Sequence, residues 1–505
     1  MSLNRPALGL IAAVTALAAV TGLAQVTGPD PDADGRAPAA SSSRLPVEQS
    51  TLVCPQPTTS DLGETVHTAF TPAGGRQRDG DGKGKAGLLP ASLTVEGGNR
   101  GKKEKEPDPA LPLTEPGTPV VEKADSTETP ARTGSADGPL APGWTVQQTT
   151  MISAGAGRGL YGLNCSAPDT EFWFPGVSTV ADRHDYIHLT NPDEAAATVD
   201  LQLYGKDGRV DSDSGSGINV PGRTTVPVLL STLTTDPAVN LTLQVAVRTG
   251  RVGAQVQALD EKLGGDWIAA SAPPAATQVL PGIPADATAV RLVAFAPGEQ
   301  DAELSVKLAG PTGTISPAGN ETLVVKSGMT AAVDLGDLTQ GEPGSLVLSA
   351  SDGSSDVPIV AALRVLRGKG AKQETAFVPA VTPVTERTTA AGSEAEGSSL
   401  SLVAPGKQAE VKVTASRGSG GGTPVTETHT LKPGTTTVLD ELRPEGLKGH
   451  YALTVEWVSG GPVHAARMLE TEEKDIDMFT VQTLPDDRGS VEVPPAAQDL
   501  TVLGD

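Results

Sequence analysis

Three glycine turns recur along this chain on a fixed interval. Gly222, Gly328 and Gly434 follow Pro221, Ser327 and Pro433, and the spacing is 106 residues twice over (328−222 and 434−328). Each turn comes after a short apolar run and before a threonine-rich or apolar segment that closes on Leu233, Leu338 or Leu442. A second marker keeps step. Asn191-Pro192, Ala296-Pro297 and Ala404-Pro405 each open a polar turn ahead of an alternating segment: Val199/Leu201/Leu203, Leu304/Val306/Leu308 and Val411/Val413/Ala415. Alternation of period two sends one row of side chains into a core and the other towards solvent, which is the signature of a half-buried strand. A unit of about 100 residues is too long for a solenoid repeat and fits one β-sandwich domain. The expected fold is all-β: tandem immunoglobulin-like β-sandwich domains following an N-terminal export helix.

Three full repeats are expected, at 172–263, 277–367 and 375–470, opening on the phrases Phe174-Pro175-Gly176-Val177, Leu280-Pro281-Gly282-Ile283 and Val378-Pro379-Ala380-Val381. Residues 264–276 and 368–374 read as linkers. Ahead of the repeats, 47–171 reads as a partial β-module interrupted by a disordered insertion at 71–142, where Gly, Pro, Lys, Glu and Asp dominate around one apolar island at Leu88 to Val95. Residues 27–46 read as a disordered linker and 471–505 as an acidic tail.

The amino terminus has the polarity of an export signal: Arg5, then an uncharged run from Leu8 to Val26, with small residues at Gly22-Leu23-Ala24. Two readings stay open, a secretory signal cleaved after Ala24 or an uncleaved membrane anchor, since the run approaches the ~20 residues that span a bilayer. Localisation is therefore expected to be extracellular or at the outer face of the cytoplasmic membrane. The chain has two cysteines, Cys54 and Cys165. In an exported protein they are expected to pair, and no CxxC spacing supports a redox role.

Hydrophobic residues make up 37% of the 505, aromatics 3%, and the net charge is −23. Phosphate binding requires clustered Lys and Arg, so this charge argues against a nucleic-acid partner. None of the six histidines sits in a metalloprotease motif, and no nucleophile elbow, phosphate loop or dinucleotide fingerprint occurs. On an extended strand His184, Tyr186 and His188 share a face, but a spacing of four separates the imidazoles by roughly 13 Å, too far for one ion. The Asp-rich loops at Asp79 to Gly84 and Asp211 to Gly215 lack a complete calcium ligand set. No cofactor and no metal are expected. The aromatic concentration Tyr161, Phe172, Trp173, Phe174 and Tyr186 reads either as an apolar plug between modules or as a ligand platform of Trp173, Tyr161 and Tyr186 for sugar rings. Alternation sends Phe172 and Phe174 to one face and Trp173 to the other, which makes Trp173 the ring expected to be exposed.

An export signal, Leu45-Pro46-Val47 to Cys54-Pro55, a variable Gly/Pro-rich insertion, then Gly159-Leu160 to Cys165 and Trp173-Phe174-Pro175-Gly176 ahead of β-repeats together resemble a domain-of-unknown-function family of secreted actinobacterial proteins. The resemblance implies an envelope location, supports the Cys54 to Cys165 pairing, and carries no functional residue over. The function expected is that of a non-enzymatic secreted or envelope-anchored scaffold or binding protein, with cell-wall glycan or an envelope protein as candidate partner and membrane contact only through residues 8–26 if uncleaved. The alternatives are an anchored accessory protein supporting envelope assembly and an enzyme with a composite site between modules.

Overall fold

The computed structural model describes residues 43–74, 84–93, 108–124, 127, 129–212 and 214–493. Among the described residues the regular structure is strand apart from three one-turn 3-10 helices, in agreement with the all-β expectation. Residues 46–490 form one compact unit; the other, 1–45 with 491–505, contains a ladder between Ser43–Pro46 and Ser490–Val493, where part of the linker and of the tail was expected.

The large unit holds four sandwiches of the same construction. In the second, seven strands follow one another: Glu171–Val177, Arg183–Thr190, Ala197–Gly205, Thr224–Leu229, Leu241–Thr249, Gly253–Asp260 and Gly264–Ile268. The first, fifth and third form one sheet, and the seventh, sixth, second and fourth form the other. The third module, Gln278–Ile283 to Glu374–Pro379, and the fourth, Arg387–Ser393 to Ile476–Leu484, repeat this order. An immunoglobulin sandwich pairs its first strand with its second. Here the second strand lies between the fourth and the sixth, in the opposite sheet, so the immunoglobulin-like expectation is corrected at the level of strand order.

The module boundaries are corrected too. Gly264–Ile268 is a seventh strand instead of a linker, and Glu374–Pro379 pairs with Val360–Arg367, so the phrase at Val378 ends the third module instead of opening the fourth. The structural counterpart of Pro175-Gly176 and Pro281-Gly282 is Ala391-Gly392. All three glycines have positive φ (97°, 87° and 74°) at a register shift in the first strand. The proline is lost there while the bulge is kept. The acidic run at Glu470 to Asp477 is a hairpin joining His464–Glu473 to Ile476–Leu484, not a tail.

The largest correction concerns residues 47–171. Ala86–Pro90, Ala110–Leu113, Val120–Ala124 and Arg132–Asp137 are strands inside the supposed insertion, and they complete a first module with the same sheet order as the other three. Leu88, Leu111, Leu113 and Trp144 fill its core beside Cys54 and Cys165. Of the insertion, 75–83, 94–107, 125, 126 and 128 lie outside the described residues. A fourth copy of the clock was present in the sequence. Pro116-Gly117 stands 105 residues before Gly222 (222−117), and its amide donates to the carbonyl of Thr71, ahead of Pro72, as Gly328 donates to Ala296 and Gly434 to Ala404. The left-handed positions are Gly117, Arg223, Gly328 and Gly434 (φ 83°, 55°, 66° and 68°), so in the second module the strained residue is Arg223, one past the glycine.

The four modules close into a ring. The seventh strands, Gly159–Asn164, Gly264–Ile268, Glu374–Pro379 and Ile476–Leu484, pack on one another in cyclic order, the last against the first. Further out, the first strand of each module packs on the sixth strand of the next, and Arg387–Ser393 of the fourth packs on Thr145–Ile152 of the first. Two residues past the left-handed position, a threonine stitches a joint in the second, third and fourth modules. Thr225 bridges Leu93 of the first module through the backbone, Thr330 donates its hydroxyl to the Tyr204 carbonyl (2.9 Å), and Thr436 donates to that of Ala309 (2.6 Å). At the closing joint Arg387 ion-pairs Asp487 and donates to the carbonyl of Pro142 (3.1 Å), while Phe70 packs on Ala391 and Ala452.

Candidate functional site

The sequence-expected platform is not on the surface. Trp173 is 6% exposed and packs, with tilted rings, against Phe295 (centroids 5.3 Å) and Tyr204 (6.4 Å) between the second and third modules. Its neighbours Phe172 and Phe174 point into the second core, as alternation required. Tyr161 is fully buried and donates its hydroxyl to the carbonyl of Gly157 (2.6 Å); Tyr186 is half-buried. The three rings therefore do not form one exposed face, and the platform is corrected to packing. Trp173→Leu is expected to cost about 2 kcal/mol in urea unfolding, the price of a cavity at one joint.

The other sequence candidates fall apart in the same way. His188 lies edge-on to Trp267 (5.4 Å), whereas His184 is partly exposed, 3.6 Å from Glu261. Burial holds His67, His188 and His464 at a pKa of about 4, so all three are neutral near pH 7. Among the described residues no group of three or more His, Cys, Asp or Glu side chains is placed to hold a metal. Asp79 to Asp81 and Asp213 lie outside the described residues. The disulfide is present: Cys54 and Cys165 are joined, tying the end of the first module's first strand to the end of its last.

What the fold does bring together is a polar knot at the centre of the ring, which no sequence motif marks. Asp266, 1% exposed, sits on the seventh strand of the second module. Its carboxylate accepts from the backbone amides of Trp267 (2.8 Å) and Gly162 (3.1 Å), from that of Phe377, and from the hydroxyl of Thr480 (3.0 Å). Pairing registers make Gly162, Trp267 and Phe377 equivalent positions in three modules. One carboxylate thus collects the same amide from three modules and a hydroxyl from the fourth. Burial pushes its pKa well above the usual carboxylate range, against the pull of these donors. The approach is tight enough to exclude a side chain: a Cβ on Gly162 would lie 2.6 Å from Thr480 Cγ2 and Gln482 Nε2.

At one side of the knot Arg158 of the first module meets Glu374 of the third, Nε to Oε1 at 2.8 Å, and also donates to the carbonyls of Gln373 (2.7 Å) and Ala371 (3.0 Å). The Glu374 side chain is 1% exposed, and burial raises its pKa to about 7 despite Arg158. A carboxyl whose folded pKa exceeds its unfolded value stabilises fully below the unfolded pKa and loses that contribution as pH rises through the folded one. Between about pH 4.5 and about pH 7 the wild type is therefore expected to lose stability that a Glu374→Gln variant does not, checked by urea midpoints at pH 5 and pH 7. An equal slope in both proteins would refute the assignment.

Among the described residues no helix is long and apolar enough to cross a membrane; residues 8–26 lie outside them. No curated protein matches the sequence. The model of a family of unknown function, DUF5719, matches residues 120–441, and the chain belongs to that family.

Proposed function

We propose that this protein is an exported, non-enzymatic scaffold: a rigid four-module ring that presents its loops and outer sheet edges to protein partners at the cell envelope. The observation that carries this reading is the use made of the buried polar groups. Asp266, Arg158, Glu374 and Thr480 are each spent on joining one module to another, which is how a chain is made rigid rather than reactive. The buried disulfide suits an oxidising compartment, and Leu8 to Val26 supplies either the export signal or the anchor. The wall-glycan reading loses its aromatic site with the burial of Trp173.

Two measurements test the proposal. Expressed with its own amino terminus in a secreting bacterial host, the protein is expected outside the cytoplasm with Cys54 and Cys165 bonded; cytoplasmic recovery with both thiols free would overturn export. In-cell cross-linking is expected to capture discrete envelope proteins, while the purified protein stays in solution beside insoluble cell-wall material. Saturable wall sedimentation without protein adducts would replace the scaffold by a glycan-binding module.

A further inference from the structure

The third module carries a charge conflict that its three counterparts lack. In its second sheet Asp334, Arg291, Arg364 and Phe377 form one cross-strand row, each directly opposite the next. Side chains directly opposite in neighbouring strands lie within contact of one another, and like charges there are destabilising. The equivalent central pairs elsewhere are neutral: Val66 opposite Thr149, Tyr186 opposite Gln257, and Ser399 opposite Met468. The conflict belongs to this module and is not a requirement of the fold.

The neighbouring charges leave one guanidinium over. Arg291 is held by both carboxylate oxygens of Asp334, with Nε at 2.9 Å from Oδ1. Arg183 of the second module, stacked on the Phe377 ring at 5.0 Å, is held by both oxygens of Asp185, each at 2.8 Å, and by the carbonyl of Gly176. The Arg364 guanidinium has no hydrogen bond or ion pair to any described residue. Burial disfavours its charge, Arg183 and Arg291 act on it as repelling charges and Asp260 and Asp334 as attracting ones, and Asp260 directs its Oδ1 to the amides of Lys262 and Leu263. Arg364 is half-buried, so its fork keeps contact with solvent. A planar fork with no anion, beside two others that each have one, is a bidentate receptor for a carboxylate or a phosphate oxygen pair.

We propose that Arg364, with Arg291 and Arg183 beside it at the joint of the second and third modules, binds a monoanionic oxyanion group, a carboxylate or a phosphodiester, on a partner of this ring. Asp185 and Asp334 are each closed on a guanidinium through both oxygens and Asp260 holds two loop amides through Oδ1, so one fork, that of Arg364, is left to meet one oxyanion group. Local conflicts of this kind persist in natural proteins where function maintains them. The site stands independently of the scaffold reading.

The test uses the full chain and two small probes, acetate and dimethyl phosphate, titrated against chloride at constant ionic strength while the thermal midpoint is followed. A saturable rise with either probe beyond chloride is expected: acetate alone points to a carboxylate-bearing partner, dimethyl phosphate alone to a diester, and both to the shared chemistry. Arg364→Gln is expected to weaken the response at least tenfold, and Arg364→Lys, which keeps the charge and loses the fork, several-fold. Asp334→Asn, which releases Arg291, is expected to strengthen it. No rise beyond chloride in the wild type, or an unchanged response in both Arg364 variants, would overturn the proposal.

Discussion

Replacing Asp266 by alanine is expected to destabilise the ring by about 5 kcal/mol, as partner loss for several buried donors at once. The amides of Gly162 and Phe377 and the hydroxyl of Thr480 come from three other modules and turn to this one carboxyl group. Each buried donor left without an acceptor costs about 1–3 kcal/mol. Asp266→Asn keeps one oxygen and the volume, so it is expected to cost about half as much. The readout is urea unfolding together with the hydrodynamic radius: loss of the knot is expected to expand the molecule before the individual sandwiches melt, because each module retains its own core. Unaltered unfolding of Asp266→Ala would show that the joints between neighbours, such as Trp173 on Phe295, hold the ring without it.

Much of the architecture was legible in the sequence, and the physics explains where it stopped. The period-two segments were visible because Val199/Leu201/Leu203 and its counterparts each fill one sandwich core, a local pattern that burial imposes strand by strand. The first module was missed because its strands are short and interrupted, with Ala86–Pro90 separated from Ala110–Leu113 by polar sequence, so composition read as disorder. Pro116-Gly117 would have revealed it had the 106-residue interval been extended one step towards the amino terminus. Of ring closure only the stitching threonines, Thr225, Thr330 and Thr436, repeat; its apolar contacts left no periodic trace. They are made of different residues each time, Trp173 with Phe295 at one, Val279 with Val403 at the next, Ala391 with Phe70 at the last. The central carboxylate is likewise a single unrepeated residue, Asp266, whose counterparts are Tyr161, Ala376 and Thr480. Pseudo-symmetric positions with non-symmetric residues carry no spacing for a sequence reading to detect.

Removing the disulfide with the paired substitutions Cys54→Ser and Cys165→Ser is expected to cost about 4 kcal/mol, since the bridge closes a separation of 111 residues and chain-entropy models give roughly 4–5 kcal/mol for a loop near 100. The effect should be confined at first to one module, because both cysteines belong to the first and their neighbours Leu88, Trp144 and Leu163 line its core. Its consequence is wider. The first module meets the second where Val53 lies against Gly253, and meets the fourth where Gln147 donates to Gln482. Opening it therefore releases two of the four joints and, with Gly162, one arm of the central knot. Limited proteolysis of the double variant is expected to cut first within 46–170, leaving the second, third and fourth modules as a resistant fragment that no longer forms a closed ring. Cutting that begins instead in the later modules, or a double variant as resistant as the wild type, would mean that packing around Leu88 and Trp144 holds the first module without the covalent tie.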